Sequence, residues 1–447
     1  VSSTPPLPGP DVPPPAETGR EPGADAQAQA PASPAVATTR GAAQREPEPT
    51  SGTTVLREML SSSWLVTVLA VVLALVLSGI LIAAADDEVQ KAAGYFFARP
   101  GDLLSTAWDA VSSAYVALFH GAVVDPSKDS FAAAIKPLTE TMTVSIPLIL
   151  AGLGLGIGFR AGLFNIGAQG QIILGAIFSG WVAFHLDLPV GLHLLVAIVA
   201  AAVGGGIWAG IAGFLKARTG AHEVIVTIML NNIAVYLVAY LLTTSLLKNP
   251  GSTNPISPKV PDSAQYPALL GSSFRLHGGF VLAILAAVFV WWLMERSTVG
   301  FKFRAVGSNP HAARTAGISV NASYVWVMVV AGALAGLAGS AQVLGTDKVL
   351  TADVAASFGF DAITVALLGR SKPLGTFFAG LLFGALRAGG FAMQARTGTP
   401  IDVVLVVQSL VVLFIAAPPL VRAVFRLPAP GARAARARRS STKEVAA

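Results

Sequence analysis

The sequence predicts an all-α polytopic membrane protein with about ten transmembrane helices (range about 8–10), and three observations carry that prediction. Of 447 residues, 53% are apolar and 12% are charged, with a mean hydropathy of +0.66, whereas a soluble domain carries about 25% charge. An ordinary water-soluble enzyme is thereby excluded. Most of the 45 glycines lie inside long apolar runs, where transmembrane helices use small residues to pack closely. Uncharged stretches also alternate with short charged loops, each stretch near the ~20 residues that cross ~30 Å of hydrocarbon.

In chain order, residues 1–56 read as a disordered Pro/Ala-rich cytoplasmic tail: twelve Pro fall in the first fifty residues, and no apolar period repays the ordering of the chain. The first apolar run starts near Leu60 and is too long for a secretory h-region. A transmembrane domain follows over 57–421, with spans expected near 63–85, 142–159, 163–184, 189–214, 224–245, 278–294, 322–343, 353–369, 373–391 and 401–420. The second, sixth and eighth are short, and either Gly-broken segment before 391 suits a re-entrant half-helix.

Lys and Arg are retained on the cytoplasmic side. Arg160, Lys216, Arg218, Arg296, Lys302, Arg304, Arg314, Arg370 and Lys372 share one side with the 422–447 tail, which holds seven of the 30 Lys and Arg. Lys248, Lys259, Arg275, Lys348, Arg387 and Arg396 fall outside or near the outer surface, the first two in a long loop where the rule weakens. Both termini are therefore expected in the cytoplasm. The net charge of +6 follows from membrane topology, so the lipid bilayer and not nucleic acid is the expected partner. The outer segment 86–141 reads as an interfacial helix or one capping the outer mouth, and 246–277, rich in Pro, Asn and Ser, as an external loop.

The chain has no Cys and six scattered His, with no H-E-x-x-H, so neither a metal nor a cofactor is expected on it. Polar residues in apolar surroundings are the candidates for function, since each needs a partner or a polar path. Asn165, Gln169 and Gln171 lie among glycines in 151–183; Asn165 and Gln169, four apart, would share a helix face. They either glue helices together or line a path. Asn231 and Asn232 are adjacent and point apart, so at least one faces the bundle interior. Asp361 suits an N-cap or a polar contact in a cavity, and Phe358 and Phe360 suit stacking on a flat ligand.

The inner loop 297–321 is long for such a compact chain. Asn309 and Pro310 start a short helix and Gly317 stops it, which would expose small side chains to another protein.

FRAGLFNIGAQGQ at 159–171, HEVIVTIMLNNIA at 222–234, GFKFRAVGSNPHAARTAGIS at 300–319, AGALAGLAG at 331–339 and GFDAITVALLGRSKPLG at 359–375 together resemble the permease subunits of bacterial ABC importers. The likeness is to the branched-chain amino acid and ribose group, and within it to simple-sugar and nucleoside uptake permeases. It covers about 160–390 and specifies the family more than the solute. The resemblance implies a cytoplasmic ABC ATPase that uses ATP and Mg, a second permease subunit, identical or paralogous, an extracellular solute-binding protein or lipoprotein, and a bacterial inner-membrane location. It makes Gly307, Ser308, Asn309, Pro310, Ala312, Ala313 and Gly317 the cytoplasmic coupling helix, and puts Asn165, Gln169, Gln171, Asn231, Asn232, Phe358, Phe360 and Asp361 in or near the substrate path. Gln169 departs from the Glu expected in a GxEGQ pattern, which removes a titratable group.

With no G-x-x-x-x-G-K-[ST] motif, the chain is not expected to be an enzyme, and energy for transport comes from elsewhere. Nucleosides are the preferred solute, with ribose or another simple sugar as the alternative. An ion-coupled secondary transporter would carry a buried charged pair in interrupted helices, and none is evident. An intramembrane enzyme lacks a nucleophile with its base, and a channel lacks a recognisable filter.

Overall fold

In a computed structural model of the chain, residues 63–426 are described, and they form fifteen α-helices. The expected 1–56 tail, and the basic tail beyond residue 426, lie outside the described residues. In order, α1 is Ser63–Ala85, α2 Asp87–Ala93, α3 Pro100–Ala122, α4 Phe131–Arg160, α5 Ala168–His185, α6 Leu192–Thr219, α7 Glu223–Leu241 and α8 Gly279–Arg296. Two short helices, α9 (Thr298–Ser308) and α10 (Pro310–Thr315), precede α11 (Val320–Ala341), which ends in a π turn at Gln342–Thr346. Finally come α12 (Phe358–Leu368), α13 (Pro373–Thr397), α14 (Ile401–Ala416) and α15 (Pro418–Val424).

Among the described residues, seven helices are long and apolar enough to cross a membrane: α1, α4, α6, α7, α8, α11 with its π turn, and α13. The chain is thus an all-α polytopic membrane protein with fewer such helices than the ten spans expected. The three shortfalls have physical causes. The 163–184 span shrinks to the 18 residues of α5, because 161–167 is not helical, and α5 carries Gln169 and Gln171 in its first turn. The 353–369 span holds only the 11 residues of α12, about 16 Å at 1.5 Å per residue, and 401–420 holds the 16-residue α14.

The centre of the bundle is α4, α5, α6 and α11, whose glycines let backbones touch. A Cβ on Gly336 would stand 2.2 Å from the Ala201 carbonyl of α6, and one on Gly175 would stand 2.3 Å from the Gly336 carbonyl. No residue larger than Gly fits either position. One continuous apolar core spans α4 to α8 and α11 to α13, while Ala70, Ala74, Phe414 and Val421 form a separate patch between α1 and α14–α15. In the 86–141 segment, α3 packs on α13, where Gly121 meets Ala392 and Gly389.

The 246–277 loop is held to the chain end of α11. Ser257 N donates to the Leu350 carbonyl (3.1 Å), Val260 N to Lys348 (2.9 Å) and Tyr266 N to Leu344 (3.1 Å).

Candidate functional site

The break between α4 and α5 is where the sequence's amides meet. Gly162, with φ +73°, turns the chain back so that Leu163 N donates to the Gly158 carbonyl at 2.9 Å. Asn165 then closes the turn: its Oδ1 accepts from Gly167 N (2.8 Å) and Gln171 Nε2 (3.1 Å), and its Nδ2 donates to Gln171 Oε1 (3.2 Å). Asn165 is therefore in the turn and not on the face of Gln169, which corrects the helical reading of 163–169.

The amides of the turn and of the first turn of α5 have no intrahelical partner, and α7 supplies partners from one face. Glu223 Oε1 accepts from Phe164 N (3.3 Å), Thr227 Oγ1 from Ile166 N (3.3 Å) and Asn231 Oδ1 from Gly170 N (2.8 Å), while Asn231 Nδ2 donates to the Ile166 carbonyl (2.9 Å). The three residues are four apart, one helical row. Lys216 Nζ balances Glu223 at 2.6 Å. Glu223 and Thr227 are not among the expected site residues; their four-residue spacing with Asn231 is the signal that could have found them.

Asn231 is 5% exposed and faces the interior, as the divergence of adjacent amides required. Asn232 lies on the opposite, exposed face, where its Nδ2 donates only to Ile228 O at 3.1 Å. Gln169 reaches across to the start of α12, donating from Nε2 to the Ala356 carbonyl (2.5 Å) and accepting at Oε1 from Gly359 N (3.0 Å). A neutral amide can do both at once, and a carboxylate can only accept.

A second polar cluster sits on α12 and α13. Asp361 Oδ2 accepts from Arg387 Nη1 (3.0 Å) and Ser357 Oγ (2.9 Å), and Arg387 Nη1 also donates to Ser357 Oγ (3.0 Å). The guanidinium lies 4.4 Å from the centre of the Phe358 ring, a cation–π arrangement. Phe358 is buried, whereas Phe360 beside it is 51% exposed. Asp361 occupies the first turn of α12 but leaves that turn's amides to other acceptors: Asp361 N donates to Ser357 O. It is an ion-pair partner and not a cap. Arg387, expected near the outer surface, lies in the C-terminal half of the 25-residue α13, three residues past Gly384, which packs on Ser145 of α4. The α12 side of the cluster is fixed on α4, because Ala362 and Val365 pack on Gly152, about 12 Å along that helix from Arg160.

At the other end of the joint lies the 297–321 loop. Asn309 Oδ1 caps α10 by accepting from His311 N and Ala312 N (3.0 and 3.1 Å), with Pro310 in the first turn. Gly317, at φ +78°, ends it, and Ile318 N closes on the Ala313 carbonyl at 3.0 Å, so the expected start and stop are where the spacing placed them. Ser308, Asn309, Ala312 and Gly317 are exposed. Ala313 instead packs inward with Val306 and Val320. Gly307 also faces the bundle, its α-carbon so close that an added Cβ would stand 2.3 Å from the Arg160 carbonyl. The α9–α10 unit therefore rests directly on the turn that Asn165 and α7 hold, and Arg160 is pinned there by Glu295 at 2.7 Å.

The opposite end of the bundle is held by different groups. His277, 3% exposed, fits over Gly345, accepts at Nδ1 from Gly279 N (3.2 Å) and faces Thr346 Oγ1 with Nε2 (3.2 Å). Burial, helped by Lys348 and Arg275, pushes its pKa down to about 4. Asp125 bonds Ser127 Oγ (2.6 Å) and Arg396, and these hold its carboxyl well below the usual range. Among the described residues no group of three His, Cys, Asp or Glu is placed to hold a metal ion.

A bundle of membrane-crossing helices, a satisfied break between two of them and a capped loop bearing on that break define a transport subunit, and the comparisons agree. The family described as "Branched-chain amino acid transport system / permease component" matches residues 138–416. The chain belongs to that family, as a multi-pass membrane permease component of an ABC importer. It is 38% identical to the guanosine ABC transporter permease protein NupP of Bacillus subtilis over 70% of this chain and 88% of that protein. It is 38% identical to the glucose ABC transporter permease protein TsgB13 of Haloferax volcanii, over 62% of this chain and 75% of that one. With the nucleoside ABC transporter permease protein NupB of Lactococcus lactis it shares 34% identity over 69% and 86%. No solved structure matches the chain. Membership of an ABC system sets aside the ion-coupled secondary transporter.

Proposed function

We propose that this permease imports nucleosides as half of a membrane-spanning pair. The observation that carries the reading is the 38% identity to a guanosine permease over most of both chains, supported by the nucleoside permease of Lactococcus lactis. A simple sugar is the second reading, favoured by an equal identity to a glucose permease.

In this proposal both termini are cytoplasmic, α5 and α14 also cross the membrane, and the 347–357 segment together with α12 makes one further crossing, which accounts for the ten expected segments. A cytoplasmic ABC ATPase, using ATP and Mg, docks on the exposed side of α10 through Ser308, Asn309, Ala312 and Gly317, with Pro310 and Ala313 setting that helix's shape. Gly307 passes the motion to Arg160 and the 161–167 turn. The turn is tied to α7 by Asn231 and to α12 through Gln169, so displacement of α10 changes how α7 and α12 face the path. Asn165, Gln171, Asn231 and Phe358 position the path, while Gln169, Asn232, Phe360 and Asp361 face it. A second permease subunit completes the path, and a solute-binding protein or lipoprotein delivers solute at the 246–277 end. This chain itself holds no cofactor, and closure and reopening exchange two populated states of one bundle.

The test is solute-stimulated ATPase activity and uptake by the complex reconstituted with its ATPase and binding protein. Adenosine, guanosine, inosine, uridine, ribose, glucose and leucine are compared. Stimulation confined to nucleosides is expected; stimulation by glucose or ribose alone transfers the assignment to sugars.

A further inference from the structure

Arg387 and Asp361 stand out from the other charged pairs among the described residues because Asp361 lies beside the Ala362–Gly152 contact, about 12 Å along α4 from Arg160, and both are still reached from outside the chain, at 22% and 21% side-chain exposure. A charged pair at that depth does not face hydrocarbon, where its cost is prohibitive. The surface there must adjoin water, solute or another polar subunit. The pair is also not used up internally: Arg387 Nη1 and Asp361 Oδ2 make all of its bonds, leaving Nη2, Nε and Oδ1 without partners among the described residues. A pair serving only to fasten α12 to α13 would be expected to engage both oxygens in the fork geometry that suits Arg and carboxylate. Phe358 holds the guanidinium plane, and the exposed Phe360 ring lies one residue from Asp361.

We propose that Arg387, Asp361 and Phe360 form a solute-recognition cluster that selects an uncharged, hydrogen-bonding ring compound over its phosphorylated form. The proposal rests on the nucleoside reading for the identity of that compound, and Arg387 is the residue it adds. Spare N–H groups beside a spare carboxylate oxygen offer donors and an acceptor together. That suits the adjacent acceptor and donor edge of a nucleobase or the diol of a sugar, with Phe360 covering a flat face. Asp353 also acts on Arg387 beside Asp361, so the surroundings of the single cation are net negative, and a phosphate attracted by Arg387 is repelled by two carboxylates. Gln169 fastens the Ala356–Gly359 segment under the cluster, so movement of the α4–α5 turn shifts these groups against the path.

The test uses the full complex in liposomes and three changes: Arg387→Lys, Phe360→Ala, and the exchange Arg387→Asp with Asp361→Arg. Assembly and melting temperature are measured beside uptake kinetics for each solute that the wild type carries. Lys keeps the ion pair but loses the spare Nη2 and Nε donors, so we expect assembly as in the wild type with KM raised about tenfold, the scale of one lost hydrogen bond. Phe360→Ala removes an exposed ring, and KM is expected to rise severalfold. The exchange is expected to restore melting temperature without restoring uptake. Uptake restored by the exchange, or a wild-type KM in both Arg387→Lys and Phe360→Ala, overturns the proposal. If the wild type carries sugars and no nucleosides, the nucleoside reading fails while the same KM comparison still decides the cluster.

Discussion

At the end of the bundle beneath α9, side chains of α7 bind main-chain groups: Thr227 and Asn231 take three of the four contacts with 164–170, and both are neutral. At the opposite end, the 246–277 loop and its neighbours are held by groups that titrate. There His277 is buried against the π turn, Arg275 pairs with Glu140 at 3.1 Å, and Arg396 pairs with Asp125. Apart from the Glu223 carboxylate, which protonates in acid, that clasp is made of amides and hydroxyls and keeps its geometry at any pH in which the protein is folded. A closure built from imidazole and carboxylates loosens as protons bind, so the first end suits steady force transmission and the second suits contacts that are made and released.

The predictions that test this contrast run from the largest effect down. Asn231→Ala strands the buried Gly170 N–H and Ile166 carbonyl, at about 1–3 kcal/mol each, so a stability loss of about 3 kcal/mol is expected by thermal or denaturant unfolding in detergent. A loss below about 1 kcal/mol would mean that α7 does not hold the turn. Gly307→Ala places a methyl against the Arg160 carbonyl and should cost about 2 kcal/mol by overpacking, with ATP-driven uptake falling more than the melting temperature. Unchanged uptake would detach α9 from coupling.

Acid should act at the opposite end. His277 is depressed to about 4 against about 6.5 unfolded, so its neutral form is favoured by the fold. Its contribution is complete above about pH 6.5 and is lost as pH falls through about 4, giving about 2 kcal/mol between pH 7 and 5 at about 1.36 kcal/mol per pKa unit. His277→Gln should flatten that part of the stability-against-pH curve, and an unaltered slope sinks the assignment. Asp125, held low by Ser127 and Arg396, loses its contribution only at lower pH, as the carboxyl protonates below its ordinary value near about 3.9. The smallest effect belongs to Asn232→Ala, which removes one exposed bond within α7. Stability should stay within about 0.5 kcal/mol, far less than the loss at its neighbour; an equal loss at both positions would erase the distinction between the two faces.

What could be read from sequence follows how local each interaction is. The Asn309–Pro310 start and Gly317 stop depend on neighbouring backbone alone, and they appear where expected. The polar residues of 165–171 and 231–232 stand out against an apolar background, yet their partners lie about sixty residues apart along the chain, and spacing gives no pairing. Gln169 is the extreme case, bound to Ala356 and Gly359. Among the described residues fewer helices are long and apolar enough to cross than the spans expected, because averaging hydropathy hides where a helix begins. The expected 353–369 span takes in 353–357, but α12 starts only at Phe358. The partner of Arg387 is equally illegible: a single Arg in an apolar stretch marks a boundary, and spacing alone does not show that its carboxylate lies twenty-six positions away.

The contact of α6 with α11 has one more consequence. Where Gly336 meets Ala201 and Gly205 meets Gly332, main chain lies on main chain with no side chain between. There are no rotamers at that seam to reshuffle, and a backbone cannot yield as a leucine can. The two helices are therefore one lever arm, and rocking of the bundle has to be absorbed at the joints around it, first among them the titrating contacts at the 246–277 end.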